Sequence, residues 1–189
     1  GLESIGPELR QYFFESDLAE VPFSRQQRTL VYQRAKRVND VRPFGTQQNV
    51  YGVDYEWINH SMAPAAIPSS DFRIVIGAGA AQPYSASVFN ISAMSFGSLS
   101  AAAIRALNAG AKQGGFYHDT GEGSISPYHR EAGGDLVWEI GSGYFGCRNE
   151  DGSFSEERFT ANARDPQVKM IEVKLSQGAK PGHGGVLPA

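Results

Sequence analysis

Val168-Lys169-Met170-Ile171-Glu172-Val173-Lys174-Leu175, running into Ser176-Gln177-Gly178-Ala179-Lys180-Pro181-Gly182-His183-Gly184-Gly185, decides how the chain folds. The first eight residues are rich in β-branched and apolar side chains and predict a strand; the glycines after them predict a shaped loop. Side chains alternate across a strand, so Ile171, Val173 and Leu175 share one face while Met170, Glu172, Lys174 and Ser176 share the other. The first face suits packing against helices. The second carries an acid and a base on a strand expected to be buried, where charge is costly unless it is paired or turned toward a ligand.

Reading back from this strand, Arg73 to Ile76 and, more strongly, Val88 to Met94 predict strands. Ser100 caps a helix to about Gln113, with Ala101, Ile104, Leu107 and Ala111 facing inward, and Gly114-Gly115 stops it. Phe116 to His118 predicts the next strand, leading into Asp119-Thr120-Gly121-Glu122-Gly123. Leu136 to Ile140, with the stretch from Gly141 to Arg148, predicts a small β excursion, and Ser155 to Ala163 a short helix. Strand, helix and strand in this order imply a parallel sheet of βαβ units, an α/β fold. In a (β/α) barrel the inward face near a strand's C-terminal end holds the active site, which makes Lys174 a site candidate. The competing reading is a structural Glu172–Lys174 ion pair.

Residues 1–86 read as a helical arm and an irregular lead-in, and 87–189 as the sheet-bearing part. Pro7 to Glu15 predicts a short helix, and Ser24 with Gln27 three residues later forms a capping box that opens a better one. Phe23, Leu30, Val31, Ala35 and Val38 then recur at helical spacing, with Arg25, Arg28, Arg34, Lys36 and Arg37 mostly outside. In a chain of net charge −3 these basic residues read as a solvated helix face, and no nucleic-acid partner is expected. Pro43, Pro64 and Pro68 break the lead-in.

At 189 residues, 41% apolar and 20% charged, the chain has the composition of one globular domain with a real core. Glycine (22) and proline (10) are in excess, a sign of many shaped loops. No run approaches the roughly 20 apolar residues of a membrane span, and no signal-peptide pattern opens at Gly1. Cys147 is alone, which excludes internal disulfides and sites built from several thiolates, and the expected compartment is the cytoplasm. Cys147 has no local basic partner and reads as a small buried thiol. His60, His118, His129 and His183 show no metal-ligand spacing. Gly77-Ala78-Gly79-Ala80-Ala81-Gln82 lacks the last small residue of a dinucleotide fingerprint, and Pro83 interrupts the helix that should follow. Ser95 is not in a nucleophile elbow, but Met94-Ser95 lies past a strand and before a helix, where backbone amides can face a ligand.

Two loops remain as chemistry. Lys180, Pro181, Gly182, Gly184 and Gly185 combine a mobile cation, a stiff turn and glycines that let backbone approach a ligand, a combination suited to a carboxylate or phosphate; a tight surface loop is the other reading. Glu122, between Gly121 and Gly123, projects from an exposed turn as an acid, a hydrogen-bond acceptor, or merely a turn residue.

Three segments together resemble the FMN-binding synthase domain of glutamate synthase. They are Ile91-Ser92-Ala93-Met94-Ser95-Phe96-Gly97-Ser98-Leu99-Ser100, Thr120-Gly121-Glu122-Gly123, and Lys174 through Gly185, in matching order and approximate spacing. The stretch from Gly141 to Gly146 looks like the family's insert before its third strand. The lead-in is similar to that of bacterial stand-alone glutamate-synthase-domain proteins. The resemblance implies a (β/α)8 TIM barrel holding FMN across the C-terminal ends of its strands. It also implies reduction of 2-iminoglutarate, formed from 2-oxoglutarate and ammonia, to glutamate by hydride transfer from reduced flavin. Carried over by position, Ala93, Met94 and Ser95 line the flavin, and Lys174 sits by flavin or substrate, where a cation stabilises negative charge on the reduced ring. Glu122, Gln177 and Lys180 orient the oxoacid and its imine, with Lys174 and Glu122 as the catalytic pair.

The chain departs from that family pattern at His183, Val186 and Asp119, where an acid, a glutamine and an asparagine are expected. It carries neither the cysteine of a glutamine-hydrolysing domain nor cluster cysteines, so the electron donor is left open. A complete barrel takes about 250 residues, and its phosphate site usually lies after strands seven and eight. The expectation is therefore an N-terminal portion, about three strands, of a longer parent chain that supplies the rest of the barrel, with FMN bound weakly or not at all by these residues alone. A non-catalytic interaction module on a truncated barrel is the alternative.

Overall fold

The computed structural model describes residues 23–39, 49–53 and 55–176. The helix expected at Pro7 to Glu15, and Gln177, Lys180, His183 and Val186, lie outside these residues. The chain divides into two units, Gly1–Pro64 and Ala65–Ala189.

In the first unit α1 spans Arg25–Lys36 and begins as its capping box dictates. Ser24 Oγ accepts the Gln27 N–H at 3.2 Å, and Gln27 Oε1 accepts the Ser24 N–H at 2.7 Å. Arg37 ends it in the left-handed region at φ 56°. The apolar residues expected to face inward stay open, with Phe23, Leu30, Val31 and Val38 between 44% and 63% exposed. Local capping rather than burial defines this helix.

The second unit opens with a hairpin, β1 (Arg73–Ile76) antiparallel to β2 (Tyr84–Ser87). Gly77, at φ 68°, starts its connecting turn, so the glycines there serve a hairpin and not a nucleotide-binding helix. The strand expected at Val88 to Met94 does not form as a regular strand. Asn90 diverts the backbone: its side-chain amide donates to Ser87 O at 2.8 Å and its carbonyl accepts the Tyr117 N–H at 3.3 Å. Beyond it only Ile91 bridges in parallel to His118, with Met94 N donating to Asp119 O at 3.1 Å.

Ser100 then caps α2 (Ala101–Gly114), which buries Ile104, Asn108 and Ala111 and ends at Gly115 with φ 67°. Next come β3 (His118–Asp119), α3 (Pro127–Arg130), β4 (Leu136–Ile140), α4 (Glu156–Ala163) and β5 (Val168–Val173). The three strands pair in parallel in chain order, β3-β4-β5, and Ile91 extends the ladder on the β3 side. This is the α/β arrangement of strands and crossovers that the sequence predicts.

Two expectations are corrected here. Leu136 to Ile140 is no excursion but the central strand, buried at all five positions because it is paired on both sides. The strand expected to be buried, β5, is instead at the edge of the described sheet, and Ile171, Val173 and Leu175 are 37%, 63% and 90% exposed. Trp138, Ile140 and the free thiol of Cys147 form the buried cluster, with Ile125, Phe159 and Val168 packed against it. Burial raises the Cys147 thiol above its ordinary range, which suits an inert core residue. Among the described residues no helix is long and apolar enough to cross a membrane.

Candidate active site

Register decides which side chains meet. Asp119 pairs with Val137, and Glu139 with Glu172, so Asp119, Glu139 and Glu172 project from one face of three neighbouring strands, with Lys174 continuing that face. His118, Trp138 and Ile140 project from the other. After Ile91, β3 and β4 the chain turns through Ser95 to Gly97, Gly121 to Gly123 and Gly141, and these turns lie against one another.

Lys174 Nζ donates to Glu122 Oε2 at 3.1 Å, joining the end of β5 to the turn after β3. The Glu172–Lys174 pair considered from the sequence is therefore replaced by Lys174–Glu122. That hydrogen bond, with the surrounding carboxylates, raises the ammonium above its ordinary range and keeps it charged. Glu122 is not on an exposed turn: its side chain is only 20% exposed. It lies where Gly141 has no side chain, since a Cβ there would stand 2.2 Å from Glu122 Oε1. Gly121, at φ 66°, leaves room in the same way for Ser95, whose Oγ would lie 2.3 Å from an added Cβ. Ser95 Oγ in turn accepts the Gly123 N–H at 3.4 Å.

Of the residues singled out from sequence, Met94, Ser95, Glu122 and Lys174 are thus linked at one end of the sheet, and Ala93 is exposed beside them. No side chain of Gln177 or Lys180 is described.

Beneath the pair sits an acidic layer: sequence reasoning placed Glu172 on the face of Lys174 and marked Asp119 as a departure, but missed Glu139 and the grouping of the three. Ligand oxygens of Asp119, Glu139 and Glu172 lie within 4.8 Å of one another. Burial, reinforced by Glu139 and Glu172 and opposed by the Gly121 N–H at 2.8 Å, pushes the Asp119 carboxyl up to about 7. Glu139 is 3% exposed, and its Oε1 has no partner among the described residues. Burial raises it too, despite the nearby Lys174 charge. The visible signal was a lone acid inside the apolar run Leu136-Val137-Trp138-Glu139-Ile140.

A second missed group lies on the helix side. Asn108 Oδ1 accepts the Gly134 N–H at 2.9 Å, and its amide approaches His118 Nδ1 at 3.5 Å. His118 and His129 are both fully buried, with ring centroids 5.1 Å apart. Burial drives His118 down to about 4 and lowers His129, so both rings are neutral near pH 7. The local signal for His129 was Ser126-Pro127-Tyr128-His129, a capping box with proline at the first helical position.

A parallel sheet with ligand-ready groups at its carboxyl ends is the usual site architecture of α/β enzymes. Comparison with known proteins narrows the class. Residues 44–189 match the family described as a conserved region in glutamate synthase, and the chain belongs to that family. It is 32% identical over 226 aligned positions to the glutamate synthase large subunit-like protein YerD of Bacillus subtilis, covering 98% of this chain and 43% of that protein. It is 36% identical over 96 positions to an archaeal-type glutamate synthase (NADPH) of a Thermotoga species, covering 51% of this chain and 16% of the relative. Over 106 positions it is 37% identical to the glutamate synthase (NADPH) large chain of Bacillus subtilis, covering 53% of this chain and 6% of the relative. The chain therefore spans less than half the length of these curated relatives. No solved structure matches it.

Proposed function

We propose that this chain forms the first part of an FMN-dependent oxidoreductase of glutamate-synthase type, a (β/α)8 barrel in which 2-iminoglutarate, from 2-oxoglutarate and ammonia, is reduced to glutamate. The observation that carries this reading is the Lys174–Glu122 pair at 3.1 Å, held at the carboxyl ends of parallel strands beside Ser95 and Gly121. Names of the relatives supply the glutamate-synthase class.

The residues present suit the ring end of a flavin. Gly121 and Gly141 let Ser95 and Glu122 pack closely at the strand ends, and a charged amine stands beside them. Ala93, Met94, Ser95 and Lys174 would hold the group there. When bound, FMN supplies the hydride. Lys174 holds positive charge where negative charge gathers, either on the ring or on a substrate carboxylate. Glu122 fixes the direction of that ammonium and keeps it protonated. Gln177 and Lys180 bind the oxoacid, and an electron donor of unknown identity restores the reduced state. The acidic layer under Lys174 favours a cationic or protonated nitrogen over a second anion, which agrees with an imine as the reacting group.

On this reading the remaining strands and the phosphate-binding loops come from further chain, and the protein works in the cytoplasm. The 189-residue chain should then emerge from gel filtration with added FMN colourless. In the longer protein, Lys174→Ala should lower oxoacid-dependent reoxidation of the flavin by at least about 100-fold while flavin stays bound, the scale of losing one electrostatic contact to the transition state. Activity within a few fold of the parent would remove Lys174 from the mechanism and this reading with it.

A further inference from the structure

His129 has only one way to carry its proton. Its Nδ1 lies 3.1 Å from the Ser126 backbone N–H and its Nε2 lies 3.0 Å from the Met94 carbonyl oxygen. A backbone N–H can only donate and a carbonyl can only accept, so Nδ1 is bare and Nε2 carries the hydrogen. Ser126 Oγ, 2.8 Å from Nδ1, can donate its hydroxyl hydrogen to the bare nitrogen, and burial opposes a second proton on the ring. The neutral ring therefore donates to Met94 O.

That bond sets more than one atom. The peptide joining Met94 to Ser95 is planar, with its C=O and N–H pointing in opposite directions. With the carbonyl drawn to His129, the Ser95 N–H points away from it. The preceding Met94 N–H is already tied to Asp119 O at 3.1 Å, so the peptide has little freedom to flip. Among the described residues no acceptor takes the Ser95 N–H. A side chain at Gly121 would stand 2.9 Å from that nitrogen, so glycine is what fits beside it.

We infer that His129 is a positioning residue, which locks the Met94–Ser95 peptide so that the Ser95 amide is presented as a hydrogen-bond donor to an acceptor atom of the bound flavin ring. The inference rests on the flavin reading above and adds to it a residue on the opposite, helix-covered side of the sheet.

The test is an NMR titration with FMN of the longer protein that carries the rest of the barrel, prepared free of flavin. Without FMN, His129 should show the Nε2–H tautomer, with a coupling through the hydrogen bond to the Met94 carbonyl carbon; the Nδ1–H tautomer overturns the clamp. On adding FMN to the unmodified protein, the Ser95 amide should shift and exchange with solvent at least tenfold more slowly. His129→Gln, which keeps an N–H donor of similar reach, should hold the FMN dissociation constant within about threefold. His129→Leu should weaken it at least tenfold and abolish the Ser95 shift. Unchanged binding in His129→Leu, with the Ser95 shift intact, overturns the positioning role. If FMN perturbs nothing at residues 93–95 of the unmodified protein, the flavin reading fails, and the tautomer measurement still decides the clamp. The exchange measurement on the unmodified protein needs no variant to fold.

Discussion

The two faces of the parallel sheet solve the problem of buried polar groups in opposite ways. On the helix-covered face, His118 and His129 are fully buried and neutral, and His129 engages Ser126 through Nδ1 and the Met94 carbonyl through Nε2. On the opposite face four carboxyl groups, Asp119, Glu122, Glu139 and Glu172, gather near one ammonium, Lys174. A neutral, hydrogen-bonded side chain costs little to bury, whereas an uncompensated carboxylate costs a great deal. The first face thus holds neutral groups, although His118 Nε2 and Trp138 Nε1 have no partner among the described residues, whereas the second retains charge, as functional sites and structural ion-pair networks both do.

Removing the charge should sharpen this contrast most at Asp119. Its carboxyl rises from an ordinary 3.8 to about 7 on folding, so it favours the folded state below pH 4 and loses that contribution as pH climbs through 7. Asp119→Asn keeps a carbonyl oxygen for the Gly121 N–H and sheds the charge. It should stabilise the chain by roughly 4 kcal/mol at pH 8, with the gain fading to nothing near pH 4, as read by urea denaturation. Equal stability at pH 8 would break the contrast.

His118 acts with the other sign. Its native value of about 4, against 6.5 unfolded, means the unfolded chain takes up protons first on acidification. Its contribution is whole above pH 6.5 and lost as pH falls through 4, and lowered His129 adds in the same direction. In the parent chain Asp119 largely offsets this. In the Asp119→Asn variant, stability should drop by roughly 3 kcal/mol between pH 7 and pH 4, and a flat profile there would mean the two histidines are not held neutral.

Smaller effects follow at the remaining acidic and basic groups. Glu139→Gln removes a carboxylate charge that burial disfavours and should add about 1–2 kcal/mol at pH 7. Lys174→Ala should change stability by less than about 1 kcal/mol, because its side chain is 32% exposed and the pair is solvent-screened. A large loss of stability in that variant would make Lys174 a structural residue and merge the two faces into one kind of packing.

Much of this was legible in residues alone. Ser24, Ser100 and Ser155 announced three helix starts, and each side chain caps as expected. Gly115 stopped α2, and the pattern in Val168 to Val173 gave its strand. Lys174 and Glu122 were singled out separately, one from strand alternation and the other from flanking glycines, and they meet. What misled was pairing. Val88 to Met94 has the composition of a strand, yet the Asn90 side chain captures the ladder groups a neighbour would have used. Leu136 to Ile140 was read with the following glycine-rich stretch as a small excursion, and only its two strand partners make it central.

The sequence by itself determined the local events: caps, stops, alternation, and the glycines that permit close approach, since each depends on residues a few positions apart. Tertiary structure alone decided which distant side chains share a space. Lys174 took Glu122 from 52 residues away and not Glu172 two residues away, because neighbours along a strand stand one pleat apart while strand ends bring loops together. It also set Asp119, Glu139 and Glu172 on one face and tied His129 to Met94, relations fixed by register and by the helix that crosses between strands.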